Sequence, residues 1–390
     1  MKLLKITAEG LPLFDGTLEL PFYASQRISN LENDGISNLF SNYYSNNVEI
    51  FAGINASGKT TVLRVILFVL DLLNEAAINQ SQYKDVLGNS KRVELNTYYY
   101  SQGYFVEPAV CRLQTVISSE MDELGILHYF IAEERYWRKK PKSIKTKKEL
   151  TDFTDTPERV RSNDEQYLKS DTSIIIAVNR VFEGKPKYLE LLSMTNNNQI
   201  GIQGDVSKNL LSFLDPSIEK ISIKETNGST NGDASIHLKF IGKEEIVLQN
   251  IKDLNQYLSS GTIKGITIFR YAEIILRNGA YLIVDELENH FNKEIVSKLV
   301  QLFMDRRVNK YGATLIFSTH YPELLDCVNR NDCIFIMKNI HGITADNMTS
   351  LLKRSDIKRS DAYESDLLQG TAPSYEAYIQ LKKALIASMK

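Results

Sequence analysis

In Gly53-Ile54-Asn55-Ala56-Ser57-Gly58-Lys59-Thr60, two glycines, a lysine and a threonine fall at the spacing G-x-x-x-x-G-K-[ST]. Each type has a physical task if the loop holds phosphate. Glycines let successive backbone N–H groups turn inward, and a helix opening at the loop adds the positive end of its dipole. Lys59 would reach the β and γ phosphates, and the Thr60 hydroxyl would ligate Mg²⁺. Gly53, Asn55, Ala56, Ser57, Gly58 and Thr61 complete the expected cradle.

Three other stretches carry groups that could act on a held phosphate. "YLIVDELENHFN" ends an apolar run in Asp285-Glu286, where a buried strand delivers two carboxylates to its C-terminal tip. Asp285 would hold Mg²⁺ through water and Glu286 would polarise an attacking water as general base; the bland alternative is a capping or surface pair. "ATLIFSTH" brings His320 to another strand tip, where it could hydrogen-bond a γ-phosphate or serve structure alone. "LSSGT", Leu258 to Thr262, offers the Ser259 hydroxyl and the Gly261 amide to an anion, and makes an equally good helix cap.

The elements that must position these groups follow from pattern. "KLLKITAEGLPLFDGTLELPF" reads as two short strands around a turn, and the Asn/Ser-rich stretch Ser25 to Asn47 as a loop. Val48–Ala52 reads as a buried strand running into the glycine turn and then an apolar helix to about Ala77. Val93 to Trp137 suggests a strand meander, and "ISIKETNGSTNGDASIHLKF" a hairpin. From Ile251 a helix closed by Gly279 precedes "AYLIVDE", then "KEIVSKLVQLFMDRRV" as a helix, "ATLIFSTH" as a strand and "CIFIMKNIHGIT" as a hairpin. Strands alternating with helices imply an α/β sheet with parallel strands.

With 390 residues, 43% hydrophobic and 24% charged, the chain has material for a substantial core. A net charge of -2 excludes a uniformly basic surface, so nucleic-acid contact would have to be local. Cys111, Cys327 and Cys333 lack CxxC spacing and are odd in number, which fits a reducing compartment. The start "MKLLKITAEG" has no signal-peptide core, and Val62 to Leu73 is interrupted by Arg64 and Asp71 and short of a membrane span. A cytoplasmic protein without membrane contact is expected.

Taken in order, GxxxxGKT, LSSGT, apolar-Asp-Glu, "LENHF" and "STH" resemble the ABC-type ATPases. Within them the chain is similar to the branch of structural-maintenance-of-chromosomes, RecF and OLD (overcoming lysogenisation defect) proteins, especially small AAA-family ATPases of bacterial phage defence. The resemblance covers residues 1–137 and about 206–390. It implies an α/β P-loop NTPase, an ABC-type head with an antiparallel β subdomain and an inserted lobe, using ATP and Mg²⁺. It further implies a homodimer, or a higher even oligomer, in which Ser259 and Gly261 contact ATP on the other subunit while Glu288 and Asn289 link the two sites. LSSGT departs from the commoner LSGGQ, and Phe291-Asn292-Lys293 stands where OLD-like proteins often have LHP. For the Mg²⁺-sensing glutamine only Gln102 and Gln114 offer themselves. The expected divisions are 1–137 as an N-terminal ATPase lobe, 138–250 as an inserted region, 251–350 as the C-terminal lobe and 351–390 as a helical extension.

No second effector domain is readable, so a separately encoded effector in antiphage defence is the expected partner. The alternative is a RecF-like DNA-binding ATPase. The basic run Arg138, Lys139, Lys140, Lys142, Lys145, Lys147 and Lys148 bears on this choice, as a solvated loop or as a contact for nucleic acid or an acidic partner. Tyr136 and Trp137 beside it would end a strand in the core or stack on bases.

Overall fold

The computed structural model describes residues 1–28, 34–103, 107–162, 168–182, 184–192, 204–225, 234–289, 291–353, 357–371 and 375–389. It is a mixed α/β protein with several sheets. The chain divides into two compact units, Met1–Pro186 with Phe317–Lys390, and Lys187–Ile316.

In the first unit a six-stranded antiparallel sheet has the order Leu18–Pro21, Lys2–Glu9, Val93–Ser101, Ala109–Met121, Leu127–Lys139 and Arg159–Val160. The same unit holds the strand Val48–Ala52, buried along its whole length. Its neighbour Ile334–Asn339 runs parallel to it, and Ile343–Asn347 lies antiparallel on that strand's far side. On its other side stands the end of the strand Thr314–Thr319, whose Thr319 carbonyl accepts from Gly53 N–H at 3.3 Å. Eleven of the 15 residues of the helix Lys59–Leu73 are buried. Each large apolar side chain sunk there stabilises the fold by about 1.5–3 kcal/mol.

In the second unit Tyr188–Glu190 pairs in parallel with Tyr281–Val284. A separate four-stranded antiparallel sheet has the order Gly204–Asp205, Ile218–Glu225, Ala234–Phe240 and Ile246–Leu248. Its buried face (Ile221, Ile223, Ile236, Leu238) shares one cluster with Leu211 of the helix Lys208–Leu214 and with Ile263 and Ile266 of the helix Ser260–Asn278. Gly265 sits where these helices meet, and a Cβ there would lie 2.7 Å from Leu214.

Several expectations need correction. Ser25 to Asn47 is no plain loop: Ile36–Phe40 and Tyr43–Asn46 form a hairpin, with the Asn38 amide bonded to the Ser41 and Tyr43 carbonyls and Ser41 left-handed. The glycine-loop helix stops at Leu73, because the Asn74 side chain turns back onto the Leu70 carbonyl. From Ile251 the chain first makes a short 3₁₀ turn, Ile251–Gln256, and the helix begins only at Ser260. The strand runs past Trp137 to Lys139, and the basic segment after it is mostly exposed, as expected, but anchored by Ile144 and Leu150, which are buried beside Tyr98, Tyr100 and Val110. The tip of the hairpin after Ile218–Glu225 lies outside the described residues.

Candidate functional site

The first unit carries the glycine loop. Gly53 follows the strand Val48–Ala52 in a space with no room for a side chain, since a Cβ would meet Ser57 Oγ at 2.3 Å and the Met337 carbonyl at 2.7 Å. Ala56 and Gly58 are left-handed, with φ of 61° and 94°. Such alternation turns neighbouring backbone N–H groups into a concavity that takes anions. Gly58 is the N-cap of the helix Lys59–Leu73 and gives its first turn no side-chain cap. The N–H groups of a helix's first turn lack intrahelical acceptors, so this end is built to donate.

The Lys59 side chain is buried, its ammonium held by the Gly53 carbonyl at 2.9 Å and the Ile54 carbonyl at 3.1 Å. The Ser57 hydroxyl is buried with no hydrogen-bond partner among the described residues, a costly arrangement for a polar group and one a ligand would relieve. Thr60, Asn55 and Ala56 are exposed and Thr61 half-buried. Two residues that sequence reasoning missed hold the loop from the next strands. The Asn339 amide donates to the Ala56 carbonyl at 3.1 Å, and a Cβ on Gly58 would lie 2.6 Å from Ile343 Cγ2. No local motif announces either one.

The structure brings the STH stretch to this loop through the Gly53–Thr319 bond. Ser318 and Thr319 are fully buried, Thr319 Oγ1 accepts from Tyr321 N–H at 3.0 Å, and the half-buried His320 ring meets Tyr321 edge-on at 4.7 Å.

The second unit carries the acidic pair and LSSGT. Asp285 is buried just past the strand Tyr281–Val284. Glu286 has φ of 46°, a strained value for a residue with a side chain, and such strain concentrates at functional positions. Asn289 braces it twice, its backbone N–H donating to the Glu286 carbonyl at 2.9 Å and its side-chain amide to the Glu286 carboxylate. Glu288 is buried, and Asn292 caps the helix Lys293–Met304. Ser259 is the N-cap of the helix Ser260–Asn278, accepting from Thr262 N–H at 3.0 Å; Gly261 is half-buried in the first turn.

Several of the remaining candidates are engaged in structure, whereas Gln102 is exposed. Gln114 donates to Glu94 at 2.6 Å within the antiparallel sheet. Tyr136 and Trp137 are buried, and Trp137 donates to the Asp155 carbonyl, so they lie in the core, inside the strand Leu127–Lys139. Of the basic run, Arg138 binds the Glu107 carbonyl and Lys140 the Glu107 carboxylate. Lys139 binds the Glu149 and Asp152 carbonyls, and Lys147 that of Ser25. Lys142, Lys145 and Lys148 are exposed. All three cysteines are free. No helix among the described residues is long and apolar enough to cross a membrane. No protein-family profile matches the sequence, and no curated protein matches it.

Proposed function

We propose that the chain is an ABC-type P-loop ATPase, a switch that binds Mg-ATP, closes as a dimer and hydrolyses the nucleotide slowly. One observation carries this reading: left-handed Ala56 and Gly58 curl the loop around the buried Lys59 ammonium, at the uncapped start of a buried helix. The residues suit a triphosphate. The loop carries one buried cation, Lys59, and the Ser57 Oγ with no partner among the described residues, and an anion bound there would be worth more than in water.

Magnesium, when bound, would supply charge neutralisation to the phosphates. Thr60 and Asp285 are the residues assigned to it. Phosphate oxygens and water supply most ligands in such sites, so a Mg²⁺ site of this kind is compatible with finding no group of three His, Cys, Asp or Glu placed for a metal among the described residues. Lys59 orients the phosphates. Glu286, braced by Asn289, accepts the proton of the attacking water, and His320 hydrogen-bonds the γ-phosphate. Ser259 and Gly261 are assigned to nucleotide held by a second copy.

Lys59→Ala should abolish ATP binding in titration calorimetry. Glu286→Gln should keep binding and accumulate an ATP-bound dimer in light scattering; hydrolysis at the parent rate would sink the assignment of Glu286. The role in antiphage defence, with a separately encoded effector, is supported by the motif resemblance alone. Co-purification of a neighbouring gene product from the native host tests it, whereas salt-sensitive DNA binding that strengthens with ATP would favour the RecF-like clamp.

A further inference from the structure

Asn339 is the last residue of the strand Ile334–Asn339, parallel neighbour of the strand that feeds the glycine loop. Its side-chain amide donates to the Ala56 carbonyl at 3.1 Å. The N–H of the same peptide unit, on Ser57, donates to the Ile54 carbonyl at 3.2 Å. A trans peptide points its C=O and N–H in opposite directions, so the Ala56–Ser57 plane is pinned at both ends. One pin is local to the loop; the other comes from 283 residues away. The pinned unit follows Ala56, which holds a φ of 61° that residues with a Cβ adopt reluctantly.

We propose that Asn339 is a positioning residue for nucleotide binding: by holding the Ala56 carbonyl it keeps the loop in the left-handed form that aims the following amides at phosphate. This rests on the ATPase reading of the loop. Without Asn339, Ala56 relaxes toward negative φ, and affinity falls with the fraction of chains that remain competent. A glycine at position 56 has no Cβ penalty at positive φ, so a loop carrying it depends less on the latch.

The test is a cycle of four full-length proteins, the parent, Asn339→Ala, Ala56→Gly and the double variant, titrated with Mg-ATP by calorimetry, with melting temperatures measured alongside. Asn339 is exposed, so its replacement leaves the fold in place. Loss of one hydrogen bond should weaken binding about fivefold in the parent background and by less than about twofold in the Ala56→Gly background. A parent that does not bind Mg-ATP overturns the ATPase reading and this role with it. A parent that binds while Asn339→Ala binds equally well overturns the positioning role alone. An equal loss in both backgrounds also overturns it, because a merely structural asparagine would not depend on the residue at position 56.

Discussion

Gly58 is the loop position where backbone and packing both forbid a side chain, and Gly58→Ala separates the two costs. The methyl would lie 2.6–2.7 Å from three carbons of Ile343, well inside contact distance for a buried aliphatic residue. Overpacking of this kind costs about 1–3 kcal/mol. The left-handed backbone, φ 94°, adds about 1–2 kcal/mol for any L-residue. Ile343→Ala alone should cost about 2–5 kcal/mol through the cavity it leaves. Combined, the two changes should cost about 1–3 kcal/mol less than their sum, because the truncated Ile343 makes room for the methyl while the backbone strain remains. The assay is urea unfolding followed by the fluorescence of Trp137, the chain's single tryptophan, buried in the same unit. Costs that add to within about 0.5 kcal/mol would refute the contact between Ile343 and the loop.

Two further outcomes follow from the buried charges of the first unit. Glu49 is fully buried, and burial, with the nearby Asp332 carboxylate adding to it, holds its carboxyl well above the usual range. The folded state therefore binds this proton more tightly than the unfolded chain does. The stability it contributes is complete below the unfolded pKa and is lost as pH rises toward the folded one. Glu49→Gln, which can still accept from Asn46, should match the parent at pH 5 and be the more stable protein at pH 9; a parallel pH profile would refute this. Arg330 pairs with Asp332 at 3.0 Å and with Asp34 at 3.5 Å, all three buried. Arg330→Met should cost about 3–5 kcal/mol in the same unfolding assay, and adding Asp332→Asn should recover part of the loss.

What could be read from the sequence was what is decided within a few neighbouring residues. Gly53 and Gly58 are legible because a close approach and a left-handed φ leave glycine little competition. Gly279 announced the end of its helix for the same reason. The hairpin around Asn38 was hidden because Asn and Ser favour loops and tight turns alike. The basic run left two readings open because charge alone does not say which stems are held: Lys142, Lys145 and Lys148 are exposed, whereas Lys139 lays its ammonium over the Phe153 ring at 4.2 Å and bonds the Asp152 carbonyl. Asn339 was invisible for another reason, since its bond to Ala56 is made in the fold and nothing local to either residue encodes it.

That same bond sets a clock on synthesis. The strand Val48–Ala52 and the apolar helix after it leave the ribosome early, while the strand Ile334–Asn339 pairs with the first of these and ends in Asn339, made 283 residues after Ala56. At about 5–20 residues per second the wait is roughly 15–60 s. Through that interval the nascent chain carries an unpaired hydrophobic strand and a greasy helix, with its loop still unlatched. The glycine loop is thus among the last parts of the fold to be finished, and the chain's time of greatest exposure to aggregation falls before that.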